Sequence, residues 1–220
     1  RMTAQVRGLN MATKNANDGL SMLATIENAT NDVTDMLHRM RELAVQAAND
    51  TNSATDRGYL QTEVTALIAE IDRVASDTKY NGTAVLDGTF TSKKLQVGTE
   101  AAQSITFSVS DVDATALAVN AADISTQAGA ATALTSISAA IETVAGQRAT
   151  YGALQNRLEY TVSNLMNVSE FTQAARSRIE DADFAAESAR LSKAQVLQQT
   201  GTAMLAQANA SQQLALSLFR

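Results

Sequence analysis

His38 is the only imidazole in a chain of 220 residues that contains no cysteine, and those two facts limit the chemistry at once. A metal centre needs three or four ligands, and a nucleophilic triad needs a base held by a third group. One histidine on the outward side of a helical stretch, beside Arg39, serves neither. Two close acidic pairs, Asp111-Val112-Asp113 and Asp181-Ala182-Asp183, have the ligand type that calcium takes. Neither runs on into a glycine-turned loop closed by a glutamate, so both read as solvated turns or helix starts. No HExxH pair and no glycine-rich phosphate loop occurs. Carboxylates for acid and base work are plentiful, but none stands near a cleft-forming loop. The expectation is a chain without catalytic residues, metal or cofactor; an enzymatic site would have to be assembled from Phe90 to Asp123.

Two further patterns are structural rather than catalytic. Arg39 and Leu43 are one helical turn apart, and Glu63 falls on the next helical stretch, so the three can form one ridge. By itself this reads as a core leucine beside an interhelical ion pair. The second pattern is the carboxy-terminal run. From Ala194 to Phe219 no side chain carries a charge, and the polar positions are amides and hydroxyls, among them Gln195, Gln198, Gln199, Gln207, Asn209, Gln212 and Gln213. The amides break the run too often for a membrane helix, and a solvated helix would carry Lys and Glu. Leu197, Met204, Leu205, Leu214 and Leu218 are scattered over it. Such a helix suits burial among other helices in an assembly, and it is expected to lack a full set of partners within the chain.

Composition fits long helices. Aromatic residues make up 4% of the chain, tryptophan and proline are absent, and narrow helical bundles fill their seams with Leu, Ile, Val, Met and Ala. A net charge of -6 and a pI near 4.8 disfavour nucleic acid. No leader sequence is evident and no run reads as long and apolar enough to cross a bilayer.

The elements that must position these residues follow from periodicity. Met2 to about Ala48 is helical, with Val6, Leu9, Leu20, Leu23, Val33, Leu37, Met40, Leu43 and Ala47 as the buried stripe. Ser53, with Asp56 three residues on, is a helix N-cap. The second helix runs to about Asp77, where Tyr80-Asn81-Gly82 is expected to stop it. Lys94 to Val97 and Ser104 to Val109 alternate as one or two small hairpins, which must lie on the helices. Asp111 to Gly129, rich in Ala, Asp, Thr and Ser, reads as a connector with one helical turn. Thr135 to Phe171 then forms a rod of roughly 55 Å. Its stripe is Ile137, Ile141, Val144, Tyr151, Leu154, Leu158, Val162, Leu165 and Val168, and Gly146 and Gly152 are expected to admit a neighbouring helix.

Several stretches resemble bacterial flagellin. Val6-Arg7-Gly8-Leu9-Asn10, Asn15-Ala16-Asn17-Asp18-Gly19 and Met40 to Asn49 are similar to the family's first core helix. Glu70 to Val74, and Tyr80-Asn81-Gly82 through Asp87-Gly88, resemble its second helix and following turn. Gly152 to Leu158 and Lys193 to Asn209 are similar to its carboxy-terminal half. The resemblance implies a fragment that lacks the family's further amino-terminal segment and large variable outer domains. That segment would pair with Ala185 to Leu218 in the filament's inner tube. It also implies self-association into a helical filament, a flagellar secretion chaperone on the carboxy-terminal helix, and export without a cleaved signal to an extracellular flagellum. Arg39, Leu43 and Glu63 match the places where flagellins recognised by the vertebrate Toll-like receptor for flagellin carry Arg, Leu and Glu.

The expected fold is mainly α: an elongated antiparallel helical bundle or coiled-coil rod with a small β-hairpin patch. Its parts are amino-terminal core helices at 1–89, a short β-rich insert at 90–127, a long return helix at 128–180 and an assembly helix at 181–220. The expected function is a structural filament subunit, with no nucleic-acid partner and no membrane insertion. Two alternatives are a hook–filament junction protein and a flagellin-like surface protein that binds polysaccharide.

Overall fold

The computed structural model describes residues 1–181 and 184–218, with side chains through residue 211 in the last stretch. In chain order the elements are α1 (Met2–Ala47), α2 (Ala54–Asp77), β1 (Lys79–Tyr80), β2 (Thr83–Ala84), β3 (Lys93–Gln96), β4 (Ser104–Phe107), α3 (Gln127–Glu180) and α4 (Phe184–Leu218). They fall into two compact units, Arg1–Gln173 and Ala174–Arg220.

The first unit is built on α1, whose 46 residues reach about 69 Å. Val6, Leu9, Leu23, Val33, Leu37, Met40, Leu43 and Ala47 are buried on it, as their spacing predicts, whereas Leu20 of the same expected stripe is only partly buried. The turn to α2 is fixed by polar groups. Ser53 and Asp56 form a reciprocal capping box, which satisfies two of the orphan donors that begin a helix. Arg57 reaches back and donates to the Ala47 and Asn49 carbonyls at 2.7 and 2.9 Å, covering acceptors that α1 leaves open at its end. The helices are therefore antiparallel. The first unit's part of α3 returns antiparallel along α1: Gln155 donates to Glu27 at 3.0 Å, and Ser169 donates to Asn10 at 3.0 Å. Leu23, Ile26, Leu37, Ile71, Ile137 and Leu158 share one core.

Four sequence-based expectations need correction. Tyr80-Asn81-Gly82 does not end α2, which already stops at Asp77 with Thr78 extended. Instead Asn81 (φ 49°) and Gly82 (φ 79°) form the turn of the two-residue hairpin β1–β2, because paired positive φ values match strand twist. The connector, whose composition showed no buried stripe, is packed. Val112, Ala114, Leu117, Val119, Ala122 and Ile124 are buried in the main core, and α2 holds their backbone: Gln61 accepts from the Ile124 N–H at 2.6 Å and donates to the Ala122 carbonyl at 3.2 Å, and Asp72 accepts from Ala114 at 2.8 Å. Its many Ala, Thr and Ser residues disguised a chain that lies flat against a helix. Among the described residues nothing stands within 4 Å of a Cβ added at Gly146 or Gly152, so neither marks a close helix approach there. The close approaches are at Gly19, where a Cβ would stand 2.6 Å from Leu95, and at Gly8, 2.7 Å from Thr99. Finally, Val168 is 37% exposed and Ser169 takes the buried place, continuing the three- and four-residue steps of Tyr151, Leu154, Leu158, Val162 and Leu165.

The hairpin β3–β4 pairs Lys93 with Phe107 through Gln96 with Ser104. It lies on α1, with Leu95 over Gly19 and Asn15 donating to the Gln96 carbonyl at 3.1 Å. Phe90 and Phe107 stack with ring centroids 5.8 Å apart, and the Lys93 ammonium sits 5.2 Å from the Phe90 centroid. This anchoring supplies the stability that a lone hairpin lacks.

Candidate functional site

In the second unit, α4 starts with Glu187 in its first turn, favourable for the helix dipole. Glu187 lies 3.6 Å from Arg190, one turn on. Beyond Lys193 the described side chains carry no charge, and none on α4 is buried. Val196, Leu197, Met204 and Leu205 are 56, 61, 71 and 66% exposed. Full burial of each such side chain is worth roughly 1.5–3 kcal/mol, so this helix carries a large unrealised driving force for association. Leu214 and Leu218 lie outside the described side chains. One window within Gln127–Ser211 reaches a mean hydropathy of 1.2, long and apolar enough by composition to cross a membrane. That corrects the reading of no such run, but 28% of the window is buried, so it is a core-facing part of α3 and not the exposed, amide-rich α4, none of whose described side chains is buried.

On the first unit, the Arg39 guanidinium bridges two carboxylates, with Nε to Glu63 Oε1 at 2.7 Å and Nη1 to Glu42 Oε2 at 3.0 Å. Glu63 first, then Glu42, raise its already high pKa further. Arg39 and Glu63 are at the surface, whereas Leu43 is 2% exposed and belongs to the core beneath them. The three are thus brought together as a surface pair over a buried leucine. His38 and Val45 stand exposed on the same helix.

The acidic pairs behave as turn formers. Asp111 accepts from the Asp113 N–H at 2.9 Å, Asp113 accepts from the Ala116 N–H, and Ser177 donates to Asp181; Asp183 lies outside the described residues. Among the described residues no group of three or more His, Asp or Glu is placed to hold a metal ion. A groove of about 830 Å³ between α1, the β3–β4 turn and α3 is lined by Leu9, Val97, Leu165 and Val168 together with amides, hydroxyls and Arg157, without a carboxylate or histidine. It offers no acid–base pair. Sequence reasoning did not find this groove, because it depends on the hairpin seating at Gly8 and Gly19.

A helical unit that completes its own core, followed by a helix uncharged beyond Lys193 with its apolar side chains exposed, defines the class of a self-assembling structural subunit. Comparison with known proteins gives the particular family. Residues 1–91 match the bacterial flagellin N-terminal helical region and residues 134–219 the bacterial flagellin C-terminal helical region. A flagellin of Halalkalibacterium halodurans is 41% identical over 222 residues, covering 100% of this chain and 82% of the relative. The crystal structure of Bacillus cereus flagellin superposes with a TM-score of 0.62 at 33% identity, over 69% of this chain and 88% of that one. A putative flagellar hook-associated protein from Vibrio parahaemolyticus gives a TM-score of 0.69 at 15% identity, over 80% and 93%, a likeness of fold alone. The chain belongs to the bacterial flagellin family. It is a structural subunit of the flagellar filament, self-polymerising and extracellular, and serves motility.

Proposed function

We propose that the subunit divides its work between its parts: 1–89, 90–127 and 128–180 form the packed body, and 181–220 is the assembly element. The observation that carries this is the exposure of Leu197, Met204 and Leu205 on a helix without charged side chains beyond Lys193. In the filament these residues, with Leu214 and Leu218, pack against helices of neighbouring subunits. Amides between them form hydrogen bonds in a water-poor tube and so fix register more sharply than leucine alone. Subunits join through heterologous contacts that extend rather than close. Incorporation into filaments grown from flagellin seeds, followed by sedimentation and electron microscopy, tests this. Leu197→Asp and Leu205→Asp are expected to abolish incorporation while leaving thermal unfolding of the first unit unchanged. Full incorporation of both variants would overturn the assignment.

The same exposed helix is where a flagellar secretion chaperone binds before export, which proceeds without a cleaved signal. An intact amino terminus in secreted material and loss of chaperone co-elution on deleting 181–220 are the expected results. Arg39, Leu43 and Glu63 form the contact for the vertebrate Toll-like receptor for flagellin, with Arg39 and Glu63 touching the receptor and Leu43 setting their height. Receptor-reporter signalling should fall with Arg39→Ala and Glu63→Ala; unchanged signalling would refute it. The junction-protein and polysaccharide-binding alternatives are not favoured, since the close relatives are filament flagellins.

A further inference from the structure

The β1–β2 turn holds a chemical feature that filament assembly does not use. Asn-Gly occurs once in the chain, at Asn81-Gly82, and the fold places it at the exposed tip of a hairpin whose strands are two residues each. A Cβ at Gly82 would meet nothing within 4 Å, so the backbone nitrogen that follows the Asn81 side chain is sterically open. We propose that Asn81 is a site of spontaneous modification, in which its side-chain amide is lost through a cyclic imide.

The chemistry is balanced with water alone. The Gly82 backbone nitrogen, losing its proton to solvent base, attacks Asn81 Cγ. A new N–C bond forms, the Cγ–Nδ2 bond breaks, and ammonia leaves. Water then opens the five-membered ring at either carbonyl, giving aspartate or isoaspartate. Nothing is oxidised or reduced. Both products add a negative charge at the turn, and isoaspartate also adds a methylene to the backbone. The Tyr80↔Thr83 register does not survive that insertion, because a hairpin's register is fixed by its turn length.

The fold also sets the rate. With Asn81 and Gly82 both at positive φ, the turn holds the backbone in the primed hairpin form, and attack waits for the hairpin to open. A pair of two-residue strands opens easily. The Tyr80 hydroxyl opposes opening by donating to the Asp18 carbonyl on α1 at 3.2 Å, as does the Val85 N–H to the Thr78 carbonyl at 3.2 Å. Asn49 and Asn52, in the α1–α2 turn, are internal controls: they precede Asp50 and Ser53, whose side chains hinder the attacking nitrogen, and Asn52 donates to the Gln46 carbonyl.

The test is to incubate the purified chain in mildly alkaline buffer and follow peptide masses, with enzymatic methylation to report isoaspartate. The expected result is a gain of about 1 Da and an isoaspartyl signal at the Asn81 peptide before either appears at Asn49 or Asn52. Tyr80→Phe should react faster than the parent and Gly82→Ala slower. Deamidation at Asn49 or Asn52 ahead of Asn81, or a Gly82→Ala chain that reacts as fast as the parent, would overturn the site. An unchanged rate in Tyr80→Phe would overturn the control by hairpin opening.

Discussion

Replacing the helix glycines of the first unit by alanine separates those the fold requires from those it tolerates. Gly146 and Gly152 lie inside α3 with nothing within 4 Å of an added Cβ. Alanine there should stabilise the unit by about 0.8–1 kcal/mol each, the intrinsic helix preference, or about 2–4 °C in Tm per substitution. Gly19 gains the same propensity term, but its Cβ would stand 2.6 and 3.3 Å from the two methyls of Leu95 and 3.5 Å from Leu158 Cδ1. Leu158 is 1% exposed and cannot yield; Leu95 is partly buried and must turn or lift its strand. Overpacking of that kind costs about 1–3 kcal/mol, so Gly19→Ala comes out neutral to about 2 kcal/mol destabilising. The spread between Gly152→Ala and Gly19→Ala is therefore about 1–3 kcal/mol. Urea unfolding followed by circular dichroism measures it. Equal stabilisation at all three positions would show that the hairpin does not press on α1 at Gly19, and a destabilised Gly152→Ala would place an unseen neighbour against α3.

Ser53→Ala removes the capping-box hydroxyl that accepts from the Asp56 N–H and should cost about 1 kcal/mol by the same urea assay. Gln61→Leu leaves the Ile124 N–H, at a residue with 0% exposure, without its acceptor; a loss of about 1–3 kcal/mol, with faster hydrogen exchange in 112–124, is expected. The Tyr151 phenol is pushed above its ordinary pKa by burial, with the hydrogen bond from the Ser110 N–H opposing that shift. A raised folded pKa means the native state holds the proton more tightly, so this contribution is complete below pH of about 10 and is lost as pH rises through the folded value. Alkaline titration of stability should show that loss in the parent and not in Tyr151→Phe.

The helices α1 to α3 were legible because each carries an apolar stripe, and eight of the nine residues read as the α1 stripe are buried, Leu20 being only partly so, while Ala16, Met22 and Ile26 were missed. The Ser53 cap was legible for a similar reason, since its chemistry is complete within four residues. Asn81-Gly82 was recognised as a positive-φ site but given the wrong task. The dipeptide serves a helix end or a hairpin equally well, and only the pairing of Lys79 with Ala84 and Tyr80 with Thr83 decides between them. The connector failed differently. Val112, Leu117, Val119 and Ile124 have neither period two nor 3.6, so their burial depends on Gln61 and Asp72, some forty to sixty residues earlier, reaching for their backbone. Gly19 likewise looks ordinary until Leu95 arrives above it. On α4 the sequence was informative through what it withheld. A helix with no charge from Ala194 to Phe219 and no internal stripe cannot settle in water or on one partner face. Its exposed leucines, Leu197 and Leu205, are what the proposed assembly contact would cover.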